Sequence, residues 1–158
     1  MRSPRRRRSY NKEIRLAFGK DKAKIMKLDC HIPPAILGEC IWNNQVYVLI
    51  DDSIKNGGQN HRLKDPVVGV LRYSLFWQTI PFLDLIILNE DYRNRGYGTL
   101  MMDKWENSMK MMDYKYVMTS TLEDETAYKF YEKRGYLLKG GFYPPEQEAK
   151  ELIYIKEL

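Results

Sequence analysis

Residues 82–98 constrain the fold more than any other part of the chain. Phe82-Leu-Asp-Leu-Ile-Ile-Leu88 is almost continuously apolar, as expected of a central strand buried on both faces. Five residues later comes Arg93-Asn-Arg-Gly-Tyr-Gly98, and from Gly96 to Met112 the residues Met101, Met102, Trp105, Met109 and Met112 recur at helical spacing. A strand, a basic glycine-containing loop and an amphipathic helix, in that order, suit an anion. Glycine lets backbone N–H groups approach closely, while the unpaired donors and positive dipole end of the helix favour a phosphate or pyrophosphate. Arg93 and Arg95 add charge. A dinucleotide-binding loop would read G-x-G-x-x-G after a first strand and a P-loop would carry G-K-[ST]; neither pattern is present.

The rest of the chain supplies elements around this segment. Glu13–Phe18 alternates polar and apolar residues up to Gly19 and reads as a first strand. Asp21 is placed to cap a short helix that turns Ala23, Ile25, Met26 and Leu28 toward a core, and Pro33-Pro34 stops it and opens a second helix through Trp42. Gln45–Ile50 and Val67–Phe76 read as an antiparallel pair, joined by a polar loop from Ser53 to Asp65 that is long for a hairpin. After the helix, Tyr116-Val-Met118 begins another strand, and Ala127, Phe130, Tyr131 and Arg134 mark a helix ended by Gly135. Tyr136–Leu138 and Leu152–Ile155 close the chain as two strands. The predicted order is βααβββαβαββ, one domain with no internal repeat.

Charge separates the N-terminus from this domain. The chain carries 26 basic and 21 acidic residues, but six of the basic ones lie within residues 1–12, which contain no acid. The remainder is nearly neutral. Residues 1–12 therefore read as a solvated, disordered arm, either a leader without function or a contact for nucleic acid or membrane, and residues 13–158 as the domain. Cys30 and Cys40 are too few and too widely spaced for a disulfide framework, and with His31 and His61 they show no metal-ligand spacing, so no metal is expected. No apolar stretch approaches the about 20 residues that span a bilayer. A soluble cytoplasmic protein is expected.

Arg-x-x-Gly-x-Gly after a central strand resembles the acyl-coenzyme A pyrophosphate loop of the GNAT superfamily of N-acetyltransferases. A second segment, Asp124-Glu-Thr-Ala127-Tyr-Lys-Phe130-Tyr131-Glu-Lys-Arg-Gly135-Tyr136, is similar to that family's Asn-x-x-Ala-x-x-Phe-Tyr-x-x-x-Gly-Phe/Tyr. The topology agrees over roughly residues 13–158, while the specific motifs occupy Leu85–Gly98 and Asp124–Tyr136. The resemblance implies an α/β (α+β) fold, a mixed, mostly antiparallel twisted sheet of about seven strands flanked by about four helices. It also implies a splayed central pair of strands with pantetheine between them like an added strand. Acetyl-CoA would be the cosubstrate, held by Ile86, Leu88, Arg93, Asn94, Arg95, Gly96, Tyr97, Gly98, Thr99, Asp124, Ala127 and Tyr131. Leu88 holds the position whose backbone N–H binds the thioester carbonyl and would stabilise the oxyanion. Asp124 departs from the family's Asn, and since a carboxylate only accepts, a helix N-cap is the favoured reading there.

Two residues are candidates for catalysis. Tyr131 matches the family tyrosine that assists the departing thiolate; a core tyrosine is the other reading, and both can hold. A primary amine must lose a proton before it attacks, and Asp84, the acid inside the apolar strand, is a candidate to receive it. Period two puts Asp84 on the face of Ile86 and Leu88, and burial would raise its pKa toward a useful range. The alternative is an Asp bonded to a neighbouring backbone at a strand edge. Glu90 is a weaker candidate. The resemblance places the acceptor between His31–Pro34 and Gly140–Ala149, where Phe142, Tyr143, Phe76 and Trp77 are candidate lining residues or core. The acceptor amine, small molecule or peptide, is not readable, and a homodimer is left open. The competing function is a non-catalytic CoA-sensing or nucleic-acid-binding module that uses the basic arm.

Overall fold

The computed structural model describes residues 12–54 and 66–158. Residues 1–11 of the expected arm, most of the loop expected from Ser53 to Asp65, and His61 lie outside the described residues. Lys12, assigned to the arm by charge, is the first residue of a strand.

Seven strands form one sheet: β1 (Lys12–Leu16), β2 (Val46–Asp51), β3 (Val67–Phe76), β4 (Ile80–Leu88), β5 (Tyr116–Leu122), β6 (Leu137–Phe142) and β7 (Glu151–Glu157). They lie in the order β1-β2-β3-β4-β5-β7-β6, antiparallel except for the central β4–β5 pair. Four helices, α1 (Lys22–Ile25), α2 (Pro34–Trp42), α3 (Tyr97–Met111) and α4 (Ala127–Lys133), complete the order βααβββαβαββ. Both the order and the mixed sheet match expectation.

Two hydrophobic cores lie on opposite faces of the sheet. α3 buries Met101, Met102, Trp105 and Met109 completely against Leu49, Leu71, Leu83, Tyr131 and Tyr136. Each such side chain contributes about 1.5–3 kcal/mol relative to exposure. Met112, expected on that stripe, is exposed because the helix ends at Met111. On the other face Ile25, Leu37 and Ile41 of α1 and α2 cover Val46, Val48, Val67 and Val70. Ala23 is exposed, since a four-residue helix has one buried side and Ile25 holds it. Asp21 caps differently from the expectation: its carboxylate reaches back to the Phe18 N–H at 2.8 Å and pairs with Arg15.

α4 ends as its sequence predicts. Gly135 sits at φ +88°, the Gly135 N–H donates to the Glu132 carbonyl and the Tyr136 N–H to the Tyr131 carbonyl, which is the Schellman arrangement. The chain then turns into β6 while Arg134, Tyr136 and Lys156 all donate to the buried carboxylate of Glu106 on α3, tying α3, α4 and β7 together.

Candidate active site

β4 and β5 are paired only through Phe82↔Met118 and Leu83↔Thr119, although β4 runs on to Leu88 and β5 to Leu122. Beyond Leu83 the two central strands part. The Asn89 N–H donates to the Val68 carbonyl, so the antiparallel alternation turns the polar groups of Leu85 and Ile87 toward β3 and those of Ile86 and Leu88 away from it. The N–H groups of Ile86 and Leu88 thus face the gap. The stretch Leu85–Leu88 is half-buried, not buried on both faces as its apolar sequence suggests, because the gap opens beside it. A groove of about 280 Å3 lies here, lined by Ile86, Ile87, Leu88, Arg93, Gly98 and Phe130.

The basic loop closes one end of this groove. Arg93 is held by its Nε, which donates to the Leu88 carbonyl at 3.1 Å. Asn94 and Gly96 both take positive φ, +58° and +85°, and Gly96 stands at the N-cap of α3. The first helical bond runs from the Leu100 N–H to the Gly96 carbonyl, leaving the Tyr97, Gly98 and Thr99 N–H groups without helical acceptors at the positive end of a 15-residue helix. A Cβ on Gly98 would stand 3.9 Å from both Leu88 Cδ1 and Phe130 Cζ, so only hydrogen there keeps the groove at full width. Unpaired strand donors, free helix amides and two arginines fit a pantetheine arm ending in a pyrophosphate.

Tyr131 sits where the strands part. It is buried, edge-on to Phe130 and Tyr136, and its hydroxyl is within hydrogen-bond reach of Thr119, whose own hydroxyl donates to the Leu83 carbonyl at 3.3 Å. Burial pushes the phenol above its ordinary value, Thr119 opposes this and Glu125 adds to it. Ala127 begins α4 and packs on the same core. Asp124 is exposed, and the helix N-cap is Thr126, so the capping reading of Asp124 is not what the structure has.

Asp84 lies on the other face of the sheet from that expected. Arg72 pairs with Leu85 and Tyr73 with Leu83, so Asp84 is an extra residue, a β-bulge. The bulge resets the alternation: Leu83, Ile86 and Leu88 all join the α3 core, while the Asp84 carboxylate turns toward the α1–α2 side. There it accepts from Ser74 at 3.0 Å and lies 3.6 Å from Arg72, which also pairs with the buried Asp29 at 2.8 Å. Burial raises the Asp84 pKa, Ser74 and Arg72 pull it down, and Asp29 pushes it up. Sequence reasoning missed Arg72, Asp29 and Ser74 as neighbours of this carboxylate; the available signal was Arg72, the one charged residue in the mostly apolar Val67–Phe76. It also missed Thr119, which carries no pattern of its own, and assigned Phe130 to a helix face only.

A second groove, about 430 Å3 and lined by Lys27, Leu28 and residues Ile87 to Asp91 with Arg93, runs along the α1 side of the β4 end. Of the four aromatic residues suggested for an acceptor pocket, Phe142 and Tyr143 are exposed at the end of β6, on the side of the sheet where the strands part. Phe76 and Trp77 are at the β3–β4 hairpin, the opposite end of β4, and belong to neither groove nor core. Among the described residues no group of three or more His, Cys, Asp or Glu side chains could hold a metal, and no helix is long and apolar enough to cross a membrane.

The sequence profile described as the Acetyltransferase (GNAT) family matches residues 26–136. No curated protein sequence matches significantly. Among solved structures the chain is similar to Ard1 from Thermoplasma volcanium, with a TM-score of 0.74 at 17% identity over 93% of this chain and 97% of that one. It is also similar to the ribosomal-protein-S18-alanine N-acetyltransferase from Escherichia coli, with a TM-score of 0.69 at 12% identity over 93% and 94%. A chain of the NatC complex bound to Gag peptide and CoA aligns with a TM-score of 0.74 at 13% identity over 94% and 99%.

Proposed function

The chain belongs to the acetyltransferase (GNAT) family and is an acetyl-CoA-dependent N-acetyltransferase, and from that premise we propose that it acts by direct attack of a primary amine on the thioester within one ternary complex. The observation that carries this reading is the parted β4–β5 pair, whose free Ile86 and Leu88 donors run from Tyr131 to the amides of the α3 N-terminus. The cosubstrate supplies an activated acetyl group and a thiolate leaving group. This chain's residues do the rest. Arg93, Arg95 and the N–H groups of Tyr97, Gly98 and Thr99 hold the diphosphate, with Asn94 and Gly96 shaping the loop. The Leu88 N–H is the donor for the thioester carbonyl, a preformed dipole that needs no reorganisation as charge grows on oxygen.

Asp84 is the proposed proton acceptor. Its bulge turns it out of the apolar row at the first residue past the last β4–β5 pair, and its raised pKa makes it a better base than a free carboxylate. As the amine nitrogen bonds to the acyl carbon its proton passes to Asp84, directly or through water, and the carbon–sulfur bond breaks. Tyr131 donates to the departing sulfur. A phenol pushed above about 10 does not protonate a thiolate near 8.5 freely, so the transfer is concerted with bond breaking. The Cys40 thiol lies within electrostatic range of Asp84, but burial and the charges of Asp84, Glu39 and Asp29 outweigh Arg72 and hold it above its ordinary value, so it is a poor thiolate nucleophile, which favours direct attack over an acetylated enzyme.

An alanine of ribosomal protein S18 is the acceptor named for the Escherichia coli enzyme, and a peptide is bound in the NatC complex. A peptide or protein α-amine is therefore the first acceptor class to test here. Isothermal titration with acetyl-CoA tests the central reading: binding at micromolar to millimolar concentration is expected, and a folded protein that binds none would overturn it. A peptide acceptor screen reading free thiol then tests the acceptor class.

A further inference from the structure

Asp51 is buried to 4% exposure, takes no part in the chemistry above, and lies at the end of β2, more than 40 residues before the basic loop. One carboxylate oxygen accepts from the N–H and hydroxyl of Ser53 at 3.0 and 2.6 Å. The other accepts from the Tyr92 hydroxyl at 2.5 Å. Tyr92 is itself buried and ends the turn Glu90–Tyr92, so its phenol is the side chain immediately before Arg93. Its ring packs 5.8 Å from that of Tyr97, the residue between the two loop glycines, and Lys12 Nζ lies 5.1 Å from the Tyr97 ring centre. Lys12 is the register partner of Asp51. A continuous set of contacts thus runs from the β1–β2 corner beneath residues 93–98.

We propose that Asp51 and Tyr92 form a clamp that positions the diphosphate-binding loop from behind, making Asp51 a positioning residue for the nucleotide half of the cosubstrate and not for its pantetheine half. This rests on the acetyl-CoA reading above. The physical reason is that Asn94 and Gly96 hold positive φ and the loop side chains are exposed, so the loop's own bonds fix little; its anchors are Arg93 Nε on Leu88 and the buried phenol of Tyr92. A charge-assisted bond to a buried carboxylate is strong and directional, and losing it frees the turn. Burial, the Asp51 bond and the nearby Asp51 charge all raise the Tyr92 pKa, which keeps the phenol protonated as the donor.

Two probes separate positioning from stability: CoA, which carries the diphosphate, and pantetheine, which does not. Tyr92→Phe is expected to weaken CoA binding by roughly fivefold to thirtyfold, the range for one lost buried hydrogen bond, with pantetheine binding unchanged. Asp51→Asn keeps a weaker, neutral bond to Tyr92 and is expected to lose roughly twofold to fivefold for CoA alone, which provides the second variant should Tyr92→Phe not fold. Equal losses for CoA and pantetheine would make the pair merely structural, and unchanged CoA affinity in either folded variant would remove the clamp. If the unaltered protein bound neither probe, the acetyl-CoA reading itself would fall, a result distinct from failure of the clamp alone.

Discussion

The acid role proposed for Tyr131 conflicts with its place in the core. Packing it between Phe130, Tyr136 and the β4–β5 junction places the hydroxyl where the strands part, but the same burial raises its pKa and weakens it as an acid. Tyr131→Phe should therefore slow turnover by roughly ten- to a thousandfold, within the range of a positioned general acid, with CoA affinity nearly unchanged. A small fall in melting temperature accompanies it, because Thr119 keeps the Leu83 carbonyl as acceptor. The base role proposed for Asp84 is tested by pH. Asp84 accepts a proton only when ionised, so its contribution to kcat is present above its raised folded pKa and lost as pH falls through it. Asp84→Asn should lower kcat and abolish that limb of the profile, and a retained limb would assign the base elsewhere. At this scale the candidates legible in the sequence are those that sit inside a motif, Tyr131 and Arg93 among them. Arg72, Asp29 and Ser74 were illegible because their link to Asp84 is made only by folding, the Arg72–Asp29 bond spanning 43 residues.

The bulge in β4 decides which face Asp84 and its apolar neighbours take. Strict period two would send Asp84 to the face of Ile86 and Leu88; one unpaired residue sends it to the other and keeps Leu83, Ile86 and Leu88 on the α3 core. A hydrophobicity pattern cannot see such an insertion, and the apolar run Leu85–Leu88 reads the same whether a strand or a ligand lies beside it. Element order and the α4 stop were legible because they rest on local signals: helical spacing, Pro33-Pro34, Gly135. Two glycines test the splayed geometry. Gly98→Ala adds a methyl at ordinary contact distance, 3.9 Å from Leu88 and Phe130, so melting should be unaffected while CoA binding weakens as the groove narrows. Gly69→Ala places its Cβ 2.7 Å from Leu88 Cδ2 and 3.1 Å from Leu49 Cβ and Met101 Sδ, an overpacked site costing about 1–3 kcal/mol. Its melting temperature should fall, and CoA affinity with it as Leu88 is displaced.

Across the whole molecule, buried carboxylates at the two ends of β1 add to the apolar contacts of the β1–β2 edge, and this ties stability to pH. Asp21 and Asp51 are both nearly inaccessible. Burial alone would raise their pKa values, but Arg15 and the Phe18 N–H outweigh it at Asp21, and Ser53 and Tyr92 outweigh it at Asp51, so both end below the ordinary carboxylate value. A folded pKa below the unfolded one means that the stabilisation is present above the unfolded value, about 3.9, and is lost as pH falls through the lowered folded value. The protein should therefore hold its stability down to about pH 4 and lose it steeply below, as the unfolded chain takes up protons that the folded one refuses. Asp21→Asn isolates one of these groups without touching the active site. Its amide cannot accept from Arg15 with the strength of a carboxylate, so the variant should be less stable than the parent at pH 7. Having no proton to take up, it should also lose less between pH 4 and pH 2. Denaturant melts across that range should show the two stability curves converging as pH falls; parallel curves would mean that Asp21 contributes through packing alone and that its charge does not stabilise the turn after β1.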